Sequence, residues 1–283
     1  MNQRILAASA IVALAVSTSA FAQGNGKKAK PPSRNDLSSQ SAATGAGAAS
    51  PLAWVDDATV LDPGGVAVSI STIRWWGSGL SEVNIPIVDF ALGVTKRVQL
   101  SASVPRVVDS SQPDGAVGGL GTTYFSAKIG VAENRTHTAK LAVLPTIEVL
   151  SPGVVAGLAP GEHRVQLGLP VSGELDRGRL RLYGATGYFT RGAWFTGAGA
   201  GLSVNDKVSV STGFSRAWRK SVVPDVPLSD RDRNEISGSA SYGFTPTVRV
   251  FASLSRTVAT LPENGAGTTI GCGVSLFFTT PAQ

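Results

Sequence analysis

The sequence predicts an all-β protein: an up-and-down antiparallel transmembrane β-barrel of about 12 strands. Three observations predict it. The chain opens with an export signal and has no later apolar run long enough to form a membrane helix. From Gly65 onward the apolar residues recur with a period of two. The connections between these runs alternate between short polar turns and mostly longer loops.

The first 22 residues read as a signal peptide. Arg4 supplies the charged start, Ile5 to Val16 the short apolar core, and Ala20-Phe21-Ala22 a small-x-small cleavage site. No cysteine follows that site, so a lipoprotein anchor is not indicated. Residues 23–50 are rich in Gly, Ser, Ala, Lys, Pro, Asn and Gln, with Leu37 their only large apolar residue. Such a stretch buries too little surface to offset its chain entropy, so a disordered tail is expected, with Lys27, Lys28 and Lys30 solvated. Residues 51–64, with Trp54, Asp56, Asp57, Pro63 and Gly64, lead into the barrel or plug it.

The barrel is expected over 65–278. Val66, Val68 and Ile70 alternate with Ala67, Ser69 and Ser71, and Val98, Leu100, Ala102 and Val104 with Gln99, Ser101 and Ser103. Val208, Val210, Thr212 and Phe214 face away from Ser209, Ser211, Gly213 and Ser215, as do Val248, Val250, Ala252 and Leu254 from Arg249, Phe251, Ser253 and Ser255. A local motif recurs at Gly93–Leu100, Gly201–Val210 and Gly243–Val250: a strand end, a tight polar turn and a new strand. Anchored on these turns, strands fall at 65–76, 82–93, 98–107, 119–131, 138–150, 162–173, 179–189, 193–203, 207–219, 234–244, 247–257 and 268–278. Turns near 94–97, 132–137, 174–178, 204–206 and 245–246 lie on one side. Loops 108–118, 151–161, 220–233 and 258–267 lie on the other, with short links near 77–81 and 190–192. Full closure satisfies every backbone group of a sheet in lipid. Residues 279–283 extend past the last aromatic residue, Phe278.

Composition narrows the function. Charged residues are 16% and apolar residues 42%, which excludes disorder throughout, and a single cysteine excludes a disulfide framework or a cysteine-based zinc site. The formal charge of +6 is concentrated at the start: Arg4, Lys27, Lys28, Lys30 and Arg34 precede any acid, leaving 20 basic against 19 acidic residues. Nucleic-acid binding is therefore not indicated. A secreted β-sandwich or lectin shares the alternation, but its outer faces would carry Lys and Glu, and here the second face is Ser, Gly and Ala.

The apolar set, from Phe90, Leu92 and Phe125 to Val274, Leu276 and Phe278, should face lipid. Trp75, Trp76, Trp194, Trp218 and Tyr188 near the loop side, with Phe244 and Phe278 near the turn side, form the expected aromatic girdles. Lumen or selectivity positions are Asp89, Lys128, Lys140, Glu148, Arg164, Glu174, Arg181 and Arg249, joined by Gln166 and Arg179. Folding back the loop at 151–161 sets Glu148 opposite Arg164 as an inward ion pair, and structural pairing is the leading role of these charges. Gly197, Gly199 and Gly201 read as small inward residues. Twelve strands enclose more room than side chains fill, so a narrow water-filled lumen is expected unless residues 51–64 or a loop plug it.

The run Pro86-Ile87-Val88-Asp89-Phe90-Ala91-Leu92-Gly93-Val94-Thr95-Lys96-Arg97-Val98-Gln99-Leu100, followed by Val104-Pro105, resembles bacterial outer-membrane barrels of the phenol-degradation (MetA-pathway) transporter type. Leu144-Pro145 and Gly273–Phe278 fit more loosely. The resemblance implies a Gram-negative outer-membrane location and uptake of small hydrophobic compounds, and it carries no catalytic motif.

The leading reading is a passive channel or uptake barrel for small molecules. The alternatives are a non-transport barrel for envelope structure or surface contact and, last, a phospholipase-type enzyme. Enzyme chemistry would rest on His137, in a turn, or on His163, which has the outward phase, with no supporting motif beside either. No cofactor, metal spacing or phosphate-binding loop is present in the sequence. The expected partners are outer-membrane lipid, lipopolysaccharide and an unidentified small solute.

Four arginines share one offset. Arg74, Arg106, Arg216 and Arg256 each stand eight residues after an outward valine, namely Val66, Val98, Val208 and Val248. An even offset keeps the face, and eight residues at about 3.3 Å, tilted by about 40°, climb about 20 Å. The four should therefore form part of an outward rim that meets lipopolysaccharide phosphates. Val149 and Tyr188 occupy the equivalent places on two other strands.

Overall fold

The computed structural model describes residues 55–77, 79–111, 117–151, 164–190, 192–219, 233–260 and 266–279. The expected signal peptide, the tail and His163 lie outside the described residues. Fourteen strands form one antiparallel sheet: β1 (Gly65–Gly77), β2 (Leu80–Thr95), β3 (Val98–Ser110), β4 (Thr123–Glu133), β5 (Ala139–Val143), β6 (Thr146–Val149), β7 (Val165–Gly168), β8 (Val171–Arg177), β9 (Leu180–Phe189), β10 (Ala193–Ser203), β11 (Val208–Arg219), β12 (Arg233–Gly243), β13 (Val248–Val258) and β14 (Thr268–Thr279).

These are twelve staves, because two are interrupted. β5 and β6 are halves of one stave broken at Leu144-Pro145, and β7 and β8 are halves of another broken at Leu169-Pro170. Proline has no N–H to give to the ladder, so each break costs a bond without turning the chain. The carbonyls still pair: Ala127 N donates to Pro145 O (3.0 Å) and Leu144 N to Pro170 O (2.8 Å). This corrects the expectation of continuous strands at 138–150 and 162–173. Another correction falls at 119–122, which meets β3 only through the isolated Arg106–Leu120 bridge.

Closure is made by β1, which pairs with β2 on one side and with β14 on the other, from Gly65↔Thr279 to Trp76↔Thr268. A strand spacing of about 4.8 Å and a tilt of about 40° give twelve staves a backbone radius of about 12 Å, too wide for the walls to fill the middle with side chains.

Alternation sorts the residues. Ile70, Phe90, Phe125, Leu167, Phe214, Leu254, Ile270 and Phe278 are large, apolar and exposed on the outer face. Tyr188 packs at a tilt against Trp194 (4.8 Å) at the loop side, and Tyr242 meets Phe244 edge-on (5.0 Å) at the turn side. Trp75 departs from the expected girdle: it points inward and is 3% exposed while Trp76 is outward. Two successive residues of a strand cannot share a face. At Ile85-Pro86 a bulge lets the inward phase pass from Ile87 to Asn84.

Residues 55–64, which precede β1, lie inside the barrel. Asp62-Pro63-Gly64-Gly65 forms a tight turn, with Gly65 N donating to Asp62 O (2.9 Å) and Gly64 at φ 76°. Proline at the second position and a glycine with positive φ at the third suit a type II turn. Gly64 N also donates to Gly93 O (2.8 Å), and a Cβ on Gly93 would run into the Asp62 carbonyl, so β2 needs glycine there. From this turn residues 55–61 pass along the inner wall with Val55, Asp56, Asp57, Ala58 and Leu61 buried.

Candidate lumen site

Two acids of the inner segment meet the cations of the wall. Lys128, from β4, lies 3.1 Å from Asp56 Oδ2 and 3.2 Å from Asp57 Oδ1. The other Asp57 oxygen contacts Arg181 Nη2, from β9. Arg181 also holds Glu174 of β8, with Nε 2.8 Å from Oε1 and Nη2 donating to Oε2 at 2.8 Å. Thr59 Oγ1 donates to Glu174 Oε2 (2.6 Å), and Lys140 of β5 donates to Thr59 Oγ1 (3.1 Å) while standing 3.9 Å from Glu174. The side chains of Asp57, Arg181, Glu174 and Lys128 are at most 5% exposed. Three acids and three bases thus balance in a buried cluster, the condition under which buried charge is tolerated.

Main-chain bonds seat the same segment. Ser172 Oγ donates to Asp57 O (2.9 Å), and Leu61 N donates to Gln99 Oε1 (2.9 Å). Glycines make the space: a Cβ at Gly197 would run into Val55 Cγ2, and one at Gly199 would lie 2.6 Å from the Tyr183 ring.

Above the charged cluster this half of the lumen is packed with apolar groups. Phe189 and Phe195 are wholly buried with ring centroids 6.2 Å apart, in one cluster with Tyr124, Leu144 and Ala58. Tyr124 donates its hydroxyl to Glu148 Oε1 (2.9 Å). A Cβ at Gly187 would come within 2.6 Å of the Phe195 ring, so glycine opposite each large ring is part of the packing.

The half formed by β11–β14 and β1 is lined by small hydroxyls. Ser209 and Ser241 hydroxyls lie 2.7 Å apart, and those of Ser211 and Ser239 2.6 Å apart. Asp89 accepts from Ser69 (2.9 Å) and Ser103 (2.5 Å). Arg249 points inward near the turn side of β13 and is buried. At the loop side, Arg233 Nη2 donates to Glu235 Oε2 (2.9 Å), both buried. That pair was missed by the sequence reading, although an Arg-x-Glu spacing on a strand puts both on one face.

The structure corrects two sequence expectations about charges. Glu148 stands opposite Gln166, not Arg164. Arg164 is two residues nearer the loop, is exposed, and donates from Nε to Leu150 O (3.2 Å), so it is not the partner of Glu148. Arg179 is exposed in the turn before β9. His137 also sits in a turn, at φ 57°, with Nδ1 2.8 Å from Glu133. Arg74, Arg106, Arg216 and Arg256 are all exposed in the outward phase, and the Arg216 guanidinium lies 6.0 Å from the Trp218 ring centroid. Among the described residues no group of three or more His, Cys, Asp or Glu could hold a metal ion.

No protein-family model and no curated protein matches the chain. Solved structures do. An outer membrane channel from Pseudomonas putida F1 superposes with a TM-score of 0.58 at 15% identity, covering 80% of this chain and 100% of that one. The NanC porin gives 0.55 at 9% identity, covering 74% and 98%. The KdgM porin gives 0.50 at 11% identity, covering 75% and 99%. At these identities the likeness is one of fold: this chain is a closed antiparallel 12-strand barrel, matching the barrels of these outer-membrane channels.

Proposed function

We propose that the protein is a passive outer-membrane channel for small solutes whose bore is narrowed by residues 55–64. One observation carries this reading: part of the inner wall is lined by small residues that stay partly exposed. The inner segment reaches from Leu61 beside Phe277 to Val55 beside Gly197. Along β11 and β12 the inward Ser211, Gly213, Ser237 and Ser239 are small and keep partial exposure. A barrel meant only as a solid pillar would carry large inward residues all round. The exposed apolar belt and the porin-type fold support an outer-membrane location, and the resemblance of Pro86–Leu100 to phenol-degradation transporters supports small hydrophobic compounds as cargo. The surrounding partners in this reading are lipid and lipopolysaccharide, the latter met by the exposed Arg74, Arg106, Arg216 and Arg256.

A non-transport barrel is the competing reading, and the buried Phe189–Phe195–Tyr124 packing favours it. Planar-bilayer recording decides between them. Purified full-length protein should insert with discrete, stable current steps in concentrated KCl. Insertion without current refutes the channel.

A further inference from the structure

The hydroxyl-lined wall carries a cation that the rest of the lumen does not answer. Lys128, Arg181 and Arg233 each meet a carboxylate. Arg249 is 7% exposed and inward, yet among the described residues its guanidinium has no hydrogen-bond or ion-pair partner, and Nη1 is buried. An uncompensated buried guanidinium is costly to keep, and an anion is the group that would relieve it. Its flanking residues on the neighbouring strands are small. It lies beside Gly243, where a Cβ would come 3.7 Å from Nη2. Its register partner on β14 is Ser275, whose inward hydroxyl is also buried without a partner.

An apolar surface stands next to this pair. Phe251 is two residues along β13 on the same face, and its ring passes over Gly273, where a Cβ would fall 2.7 Å from Cζ. The other inward aromatics among the described residues, Trp75, Tyr124, Tyr183, Phe189, Phe195 and Phe277, are buried, and Phe251 alone keeps exposure. Two residues of a strand span about 6.6 Å, roughly the length over which a small aromatic acid spreads its carboxylate and its ring.

We infer that Arg249, Ser275 and Phe251 form a lumen site for a small aromatic or cyclic monocarboxylate. The carboxylate sits on the guanidinium and the Ser275 hydroxyl, and the ring lies against Phe251. This rests on the channel reading and gives it a substrate class. Arginine supplies charge-assisted donors, the phenyl ring supplies a face that acetate cannot use, and no metal or covalent step is involved.

The test is binding of 4-fluorobenzoate to the purified full-length protein in detergent, followed by the fluorine NMR line. Wild type should broaden the line saturably, with benzoate competing well and both acetate and neutral benzyl alcohol competing poorly. R249Q should weaken binding about tenfold or more. F251A should weaken benzoate while leaving acetate unchanged. Heat-modifiable gel migration checks that each variant is folded, and if R249Q does not fold, the competition order in wild type decides alone. Absence of saturable broadening, equal competition by benzyl alcohol, or wild-type affinity in folded R249Q overturns the site. Current without fluorobenzoate binding sinks the site and spares the channel. Binding without current does the reverse.

Discussion

Replacing Asp57 by asparagine should loosen the inner segment by a predictable amount. The Asp57 carboxylate is wholly buried and touches both Arg181 and Lys128. Asparagine keeps the shape and one acceptor oxygen but loses the charge. Neither cation is stranded, because Arg181 retains Glu174 and Lys128 retains Asp56. The loss is therefore the charge assistance of two contacts, about 1.5 kcal/mol each, or about 3 kcal/mol together. At about 1.4 kcal/mol per tenfold, the ratio of released to seated segment should rise about a hundredfold. Val55 reports it, being 5% exposed and packed against Tyr183 and Gly197. In a Val55→Cys, Cys272→Ser background, a water-soluble maleimide reaches the Val55→Cys thiol only from the released state, so the labelling rate follows the released population. D57N should speed labelling about a hundredfold. An unchanged rate, with full labelling after denaturation as the control, would refute the view that this ion pair seats the segment.

Two further outcomes are expected. Gly197→Ala places a methyl against Val55 Cγ2 and should also raise labelling at Val55→Cys, whereas Gly213→Ala, whose nearest neighbour is the flexible Ser237 hydroxyl at 3.2 Å, should leave it near wild type. Replacing Arg74, Arg106, Arg216 and Arg256 together with Gln should lower lipopolysaccharide co-purification severalfold while conductance stays the same; unchanged lipopolysaccharide would remove the rim from consideration.

The strand rhythm and the turns were legible because each is local. A period of two fixes which face a side chain takes, and Asn205 shows why the turns punctuate the sequence: its side-chain oxygen accepts from Lys207 N (2.9 Å) and Val208 N (2.8 Å). What alternation does not carry is the state of the ladder. Pro145 and Pro170 interrupt it without shifting the phase, so a broken stave and a whole one read alike. Register across a long loop is equally silent, which is why Glu148 was set against Arg164 when Gln166 stands opposite it. Trp75 was a misreading of information already present, since its neighbour Trp76 had claimed the outer face. The segment 55–64 has no period, and Asp57 finds its partners 71 residues away at Lys128 and 124 away at Arg181. Phase along a strand tells which way Lys128 and Arg181 point. What they point at is set by the closed barrel alone.

Closure also explains why the lumen is divided. A stave ring of about 12 Å radius leaves a central gap that wall side chains cannot bridge. A charge projecting into that gap must find either water or another piece of protein. On the side of β4, β5, β8 and β9, long charged side chains reach inward and a returning stretch of the chain supplies Asp56, Asp57 and Thr59 to meet them. On the side of β11–β14 the inward residues are mostly serine and glycine, some of them paired as Ser209 is with Ser241. These short side chains project little into the lumen. Arg249 breaks that pattern, since it is a long cation that no acid among the described residues reaches. A wall of short side chains that presents one unanswered charge beside one accessible ring has the makings of a binding surface rather than a packing surface.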